Sequence, residues 1–439
     1  MDASTIGLIA FAAVLILLAL RVPIAFALAS VATIATFFIF AFRTGTFMPE
    51  RAIRATTSMV FSNSFDLIHS YDLSMIPLFV ALGHIAYRAD ITTKIYHAAK
   101  VWLTRLPGGV AMASVMGCGG FSAITGSSIA CASTMGKICT PEMLRMGYDP
   151  RLATASVAAG GTLGSLIPPS VLFIIYGIFT ETSISSLFLA GVLPGLLTLA
   201  GFILVIAVWV WRSPEIAPST ATRYSAKERF AAVMLFVLII GGIYGGIFTA
   251  TEAAAVCVVA ATLIGFAQRK LTLQGLWDAV KETCIQTAAI FFIAAGAKIF
   301  VAFIALTNVA PMIVNVVAEA ELSVVVLLLA IAAIYLLLGM FLDPIGIMVL
   351  TLPLMIPLVE SYDMNLIWFG VVVIKLLEIG LITPPVGLNV FVIANVVGKE
   401  APIDKIFAGI TRFLSVDVIV LVLIMSFPMI SLLIPMAAR

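Results

Sequence analysis

The sequence predicts an all-α polytopic membrane protein built from inverted-topology repeats, with two re-entrant hairpins and two broken helices. Three observations predict it. Of 439 residues, 62% are hydrophobic and 10% charged, with a mean hydropathy of +1.19. A soluble domain carries about 25% charged residues, so this chain has too few to cover a folded surface in water. Apolar runs recur along the whole length, with room for about ten to twelve crossings at roughly 20 residues each and for no sizeable soluble domain. Finally, Leu163-Gly164-Ser165-Leu166-Ile167-Pro168-Pro169 returns as Ile379-Gly380-Leu381-Ile382-Thr383-Pro384-Pro385, an offset of 216 residues. Lys and Arg number 24 against 22 Asp and Glu, which gives no field that would select a nucleic-acid partner.

The elements follow from apolar runs bounded by charge, Pro or Gly, at residues 6–20, 24–42, 73–87, 187–211, 230–248, 253–267, 285–306, 324–342 and 413–436. No basic residue precedes Arg21, so the first run lacks the charged start of a cleaved signal peptide and is expected to be a retained span. Residues 88–105 carry Ile91, Ile95, Ala98 and Trp102 among basic residues, the spacing of an interfacial amphipathic helix. Two regions, 108–180 and 339–397, are apolar but interrupted by Gly, Ser and Pro. Lipid leaves irregular backbone unsatisfied, so breaks at membrane depth must be packed inside protein or line a polar cavity. The five cysteines, Cys118, Cys131, Cys139, Cys257 and Cys284, form no CxxC pair and read as small core residues.

Basic loops set the orientation. Arg212, Arg223, Lys227 and Arg229 mark one cytoplasmic loop, and Arg269, Lys270 and Lys281 another, two spans later. Parity then places 88–105 inside, the segment with Glu319 and Glu321 outside, and the N-terminus outside. Arg43, Arg51 and Arg54 would face outward, against the rule. At the 216-residue offset, Pro141 falls on Pro357 and the run 73–87 on 289–303. The segments that follow those matched runs carry opposite charge bias, which indicates that the halves enter the membrane from opposite sides. Inverted repeats of this kind are the architecture of many secondary transporters. The chain is thus read as a single transmembrane domain, 1–439, with a first repeat at 73–211, linker and scaffold spans at 212–288, and a second repeat at 289–427.

The candidate chemistry lies in the interrupted regions. Gly117 to Ser128 concentrates Gly and hydroxyls in an apolar setting, which suits either the tip of a re-entrant hairpin that coordinates a hard cation or a small-residue helix-packing face. The offset favours the tip, because Ser127 falls on Asp343 and a carboxylate at membrane depth is functional by default. Each double proline removes two amide donors and unwinds its helix. The freed carbonyls, with Ser170, Thr383 and Asn389, can bind an ion, while the half-helix beyond the break turns a partial positive charge toward an anion. Ordinary kinks are the alternative. Lys298, Lys375 and Glu378 interrupt apolar runs, where they either pair with one another or with substrate or, the preferred reading, brace helix packing or snorkel, and Glu252 reads as a first-turn acid that favours a helix dipole. No nucleotide-binding loop and no H-E-x-x-H are present, so the chain is not expected to be an enzyme.

Gly246-Ile247-Phe248-Thr249-Ala250-Thr251-Glu252-Ala253-Ala254-Ala255, the Gly126-Ser127-Ser128 cluster, residues 164–176 and residues 378–389 together resemble the large membrane (M) subunit of tripartite ATP-independent periplasmic (TRAP) transporters. Ala250 departs from the Pro usual in that family. The resemblance covers essentially the whole chain. It implies Na+-coupled import of a small organic acid, a carboxylate, across the bacterial inner membrane by an elevator motion. It also implies a small four-helix membrane subunit (Q), expected here as a separate polypeptide, and a periplasmic substrate-binding protein (P). Carried over by motif, Na+ would be held by Ser122, Thr125, Gly126, Ser127 and Ser128 with Gly164 and Ile167 in one half, and by Asp343, Thr383, Gly387 and Asn389 in the other. Substrate would touch Ser170, Tyr176, Asp343 and Asn389. A stand-alone Na+/dicarboxylate or anion symporter without a binding protein is the competing reading.

Overall fold

A computed structural model describes residues 3–42, 47–218 and 250–438. The expected span at 230–248, the basic residues Arg43, Arg223, Lys227 and Arg229, and the Gly246–Thr249 stretch of the family motif lie outside the described residues. Among the described residues the chain is helical, without strands. Helices α1 (Ala3–Ala19) and α2 (Ile24–Phe42) lead to α3 (Pro49–Ile68), which meets α4 (Met75–Arg88) at a bend of 59°. Arg51 and Arg54 are exposed on α3, so the stretch that defied the charge rule is largely a helix and not a loop.

The first half continues through α5 (Ile91–Leu103), α6 (Gly109–Thr125), α7 (Ser128–Arg145), α8 (Pro150–Leu166), α9 (Val171–Thr180) and α10 (Ile184–Arg212). After α11 (Ala250–Ala267), the second half runs through α12 (Leu273–Ala305), α13 (Val309–Glu319), α14 (Val324–Gly339), α15 (Pro344–Glu360), α16 (Leu366–Gly380), α17 (Leu388–Val397) and α18 (Ile403–Ser426), then α19 (Met429–Ala437). At the 216-residue offset the bounds of α5 to α10 fall within three residues of those of α13 to α18. Five of these stretches are long and apolar enough to cross a bilayer: α2, α8 with α9, α10, α12 and α18.

Polar caps mark the helix starts. Ser127, Ser170, Ser183, Thr272, Ser323, Asp343 and Asn365 each accept a backbone N–H from the first turn that follows, satisfying a donor that the helix leaves free. The cap at Thr272 explains one departure from expectation. Lys281, read as a loop charge, lies within α12, because the cap starts the helix well before the apolar run begins. The final apolar run divides at Phe427-Pro428 into α18 and α19, since a proline supplies no amide for the ladder. Helix α5 is amphipathic as expected, burying Ile91, Ile95 and Ala98 while Trp102 is exposed. Its inner face also carries Lys100, which pairs with Glu142 of α7.

The two halves interlock. Helix α17 packs against α7, and α18 packs against α8; reciprocally, α9 packs against α15 and α10 against α16. Each hairpin therefore rests on broken-helix segments of both halves.

Candidate functional site between two helix tips

The first tip is built by α6, α7 and the break between α8 and α9. Helix α6 ends where Gly126 takes φ +62°, a conformation that costs a side-chain-bearing residue energy. A Cβ at 126 would also come within 2.7 Å of Pro169 O. Gly126 O accepts from Val171 N–H at 3.1 Å, so the tip is pinned to the break. Gly164 lies against the tip, where a Cβ would stand 2.7 Å from Ser128 N. Ile167 ends α8, and Ser170 caps α9 by accepting from Phe173 N–H at 3.3 Å.

The second tip uses a carboxylate for the same capping task. Asp343 Oδ2 accepts from Gly346 N–H at 2.8 Å and starts α15. Gly387, at φ +60°, leads into α17. The Pro168-Pro169 and Pro384-Pro385 bonds are both cis. Their surroundings differ, however: Pro168 and Pro169 are buried, whereas Pro384 and Pro385 are exposed.

Both tips face one cavity of about 420 Å³. Gly126, Ser127 and Ser128 line it from the first half and Asp343, Pro344 and Ile345 from the second. Ser165, Val171, Leu172 and Leu381 contribute from the flanks of the breaks, and Gln286 and Ile290 from α12. First-turn residues of α7, α9 and α15 thus meet at one space. The free amides and partial positive charge of a helix start favour an anion. Among the described lining residues there is no Lys, Arg or His.

Behind the first tip lies a buried polar cluster that sequence reasoning undervalued. Ser128 Oγ donates to Glu378 Oε1 at 2.6 Å and lies 2.8 Å from Ser165 Oγ. Glu378, read from sequence as a packing brace, is 1% exposed and reaches the tip across the interface between halves. Among the described residues, Glu378 Oε2 and Asn389 Oδ1 are buried without a hydrogen-bond partner. The other amide end of Asn389 donates to Ala158 O at 3.3 Å. Lys375, one turn before Glu378, is engaged elsewhere, with Asp417 of α18 and with Thr198 of α10 at 3.0 Å. Lys298 lies in a separate cavity lined also by Asp66, Asp72 and Glu181.

The structure brings Gly126, Ser127, Ser128 and Asp343 together at the cavity, with Gly164 against the tip. The remaining expected residues do not line it. Ser122 and Thr125 turn their hydroxyls back to Cys118 O and Phe121 O, and Thr383 does the same to Ile379 O. Tyr176 donates its hydroxyl to Leu366 O at 2.7 Å, fastening α9 to the start of α16. Ser133, Ser165, Gln286 and Leu381 line the cavity without having been singled out. The repeat could have suggested Leu381, since it falls on Ser165 at the 216-residue offset.

The family profile described as the DctM component of tripartite ATP-independent periplasmic transporters matches residues 11–430. The chain belongs to that family. It is a TRAP transporter large membrane subunit and a multi-pass inner-membrane protein. Among curated relatives, this large permease subunit is 33% identical over 379 residues to the C4-dicarboxylate TRAP transporter large permease protein DctM of Pseudomonas aeruginosa, covering 84% of this chain and 88% of that one. It is 33% identical over 373 residues to the sialic acid TRAP transporter large permease protein SiaM of Vibrio cholerae, covering 84% and 87%. With the ectoine TRAP transporter large permease protein TeaC of Halomonas elongata it shares 32% over 374 residues, covering 83% and 86%. The crystal structure of the Alcanivorax borkumensis YdaH transporter matches the fold at a TM-score of 0.58 and 14% identity, over 86% of this chain and 89% of that one.

Proposed function

We propose that this permease subunit imports a small organic acid by Na+-coupled secondary transport, with substrate delivered by a periplasmic binding protein and a separate four-helix subunit beside it. The observation that carries the reading is the meeting of both tips and three helix starts at one cavity. An acid without a partner arginine is recognised there by amides and hydroxyls. The names of the relatives supply the substrate class: C4-dicarboxylates, sialic acid or ectoine.

The oxygen-rich surroundings fit a hard monovalent cation. Asp343 and Ser127 line the cavity, and buried Glu378 and Asn389 each offer an oxygen with no hydrogen-bond partner among the described residues. Na+ bound there would supply charge balance for an acid beside Asp343. Of the expected ligands, Gly126, Ser127, Ser128 and Asp343 line the cavity and Gly164 lies against the tip, so the proposed Na+ ligands are those of the two tips with the Asn389 oxygen behind them. Of the expected substrate contacts Asp343 lines the cavity, while Ser170, Tyr176 and Asn389 lie outside its lining. A re-entrant character for both hairpins is supported by length. Helices α6 and α14 have 17 and 16 residues, about 25 Å at 1.5 Å per residue, short of the roughly 30 Å hydrocarbon core. An elevator motion would then carry the hairpins and broken helices past a frame that includes α12.

Reconstitution in proteoliposomes tests the reading. With the small subunit and binding protein present, an inward Na+ gradient should drive uptake of succinate, N-acetylneuraminate or ectoine. Uptake by this chain alone would favour the stand-alone symporter, and uptake indifferent to Na+ would remove the coupling.

A further inference from the structure

Helix α12 contributes part of the cavity wall, and its Gln286 is the only side-chain nitrogen among the described lining residues. Helix α12 packs against α2, α3 and α4, so Gln286 reaches the cavity from outside the hairpins and broken helices. Its amide is not free to turn. Gln286 Oε1 lies 3.0 Å from His84 Nε2, and His84 Nδ1 lies 3.1 Å from Glu282 Oε2. Glu282 is held in turn by Arg88, whose Nη2 donates to Oε1 at 2.8 Å, while Asp278 stands 3.9 Å from the same guanidinium.

Both ring nitrogens of His84 therefore face oxygens. A proton on Nε2 lets the ring donate to Gln286 Oε1. With Oε1 held by the ring, the NH2 end of Gln286 has no hydrogen-bond partner among the described residues and remains available to the cavity. A neutral ring that kept its proton on Nδ1 for Glu282 would accept at Nε2, and the amide would have to reverse.

We infer that Gln286 is a substrate-recognition residue donating an N–H to the anionic group of the cargo, and that His84, braced by Glu282 and Arg88, is the positioning residue that keeps that end turned inward. The inference rests on the cavity being the substrate site. It supplies a nitrogen donor to a cavity whose other described side chains offer hydroxyls and a carboxylate. A carboxylate accepting such a bond gains a charge-assisted contact, and losing it raises KM about tenfold while leaving kcat within about twofold.

The test uses the permease with its small subunit and binding protein in proteoliposomes, with succinate, N-acetylneuraminate and ectoine as probes. Gln286→Leu should raise KM about tenfold, and Gln286→Glu, which places a carboxylate against the anion, should raise it further. His84→Phe should act in the same direction, and the double variant should be no worse than Gln286→Leu alone, because both remove one interaction. His84→Gln, which restores an N–H toward Gln286, should recover most of the lost affinity. An unchanged KM in Gln286→Leu, or additive losses in the double variant, overturns the assignment.

A second readout does not depend on the cargo. Nitrogen-15 spectra of histidine-labelled permease should show His84 Nε2 protonated, assigned by comparison with His84→Phe, and a change at Nε2 in Gln286→Leu. A ring with unprotonated Nε2 overturns the positioning role. Should the wild type carry none of the three probes, the functional reading fails, and these spectra still decide the His84–Gln286 relay.

Discussion

Asp343 has two tasks that can be separated by substitution. Its Oδ2 caps α15 and its charge lies at the cavity. Asn is as good a cap as Asp, so Asp343→Asn should leave thermal stability nearly unchanged while weakening the Na+ dependence of uptake. Ser127→Ala should act in the same direction but less, because a hydroxyl contributes less charge to a cation site. Unchanged Na+ affinity in Asp343→Asn, or a larger effect of Ser127→Ala, would reverse the ranking of these residues. Lys375 belongs to a different class of buried polar residue. Its pairing with Asp417, both about 1% exposed, holds α16 to α18 in the absence of water. Lys375→Met leaves Asp417 charged and unpaired, which should destabilise the protein by about 3 to 5 kcal/mol, with much of the loss restored in the double variant Lys375→Met, Asp417→Leu. Thermal unfolding in detergent measures both.

At the scale of elements, the junction of tip and break is the tightest place in the first half. The backbone of Ser127 and Ser128 crosses α8 at Gly164, leaving no space for a methyl group. Gly164→Ala should therefore displace the tip from the break, lower the unfolding temperature by several degrees, about 1 to 3 kcal/mol, and slow uptake more than Gly119→Ala, where a Cβ would meet its nearest neighbour at an ordinary 3.5 Å. Equal effects at the two positions would mean that the tip does not bear on α8. The bounds of these elements were legible in the sequence to a useful degree. A double proline with flanking apolar residues, recurring after 216 residues, located both breaks, and Ser127 matched to Asp343 located both tips. Partnerships across the interface were not legible. Ser128 and Glu378 are 250 residues apart, and nothing in the local pattern around Glu378 indicates which face of α16 it occupies. Gln286 was hidden for a similar reason: one amide in a long apolar helix has no periodic signature, and its meaning depends on His84, 202 residues away. Thr272, by contrast, stands at the head of a helical run as a readable cap, with Arg269, Lys270 and Lys281 around it.

For the whole molecule, the order and bounds of helices α5 to α10 are repeated in α13 to α18. If the repeats are inverted, equivalent positions must sit on opposite sides of the membrane. Cysteines introduced at Lys94 and Glu319 provide the check: a membrane-impermeant thiol reagent applied to oriented vesicles should modify position 94 only from the cytoplasm and position 319 only from the periplasm. Labelling of both from one side would remove the inverted architecture, whatever the fate of the cavity assignment. Interlocking strengthens the point, since α17 rests on α7 and α9 on α15, so that neither half can shift its break without moving the other's hairpin.

The unequal cover of the two double prolines adds a thermodynamic consequence. Near-copies of one motif occupy two environments, Pro168-Pro169 enclosed and Pro384-Pro385 open. A conformation in which the halves exchange those environments would make contacts of the same kinds in the same numbers. Its free energy would differ from that of the present arrangement only through the residues in which the halves differ. Near-degeneracy of this origin leaves a small gap for cargo and ion to bridge, and a small gap lets modest differential affinity, on the order of a few kcal/mol, repopulate the pair of states. If the halves are inverted repeats, duplication would thus supply bistability without any dedicated switch residue.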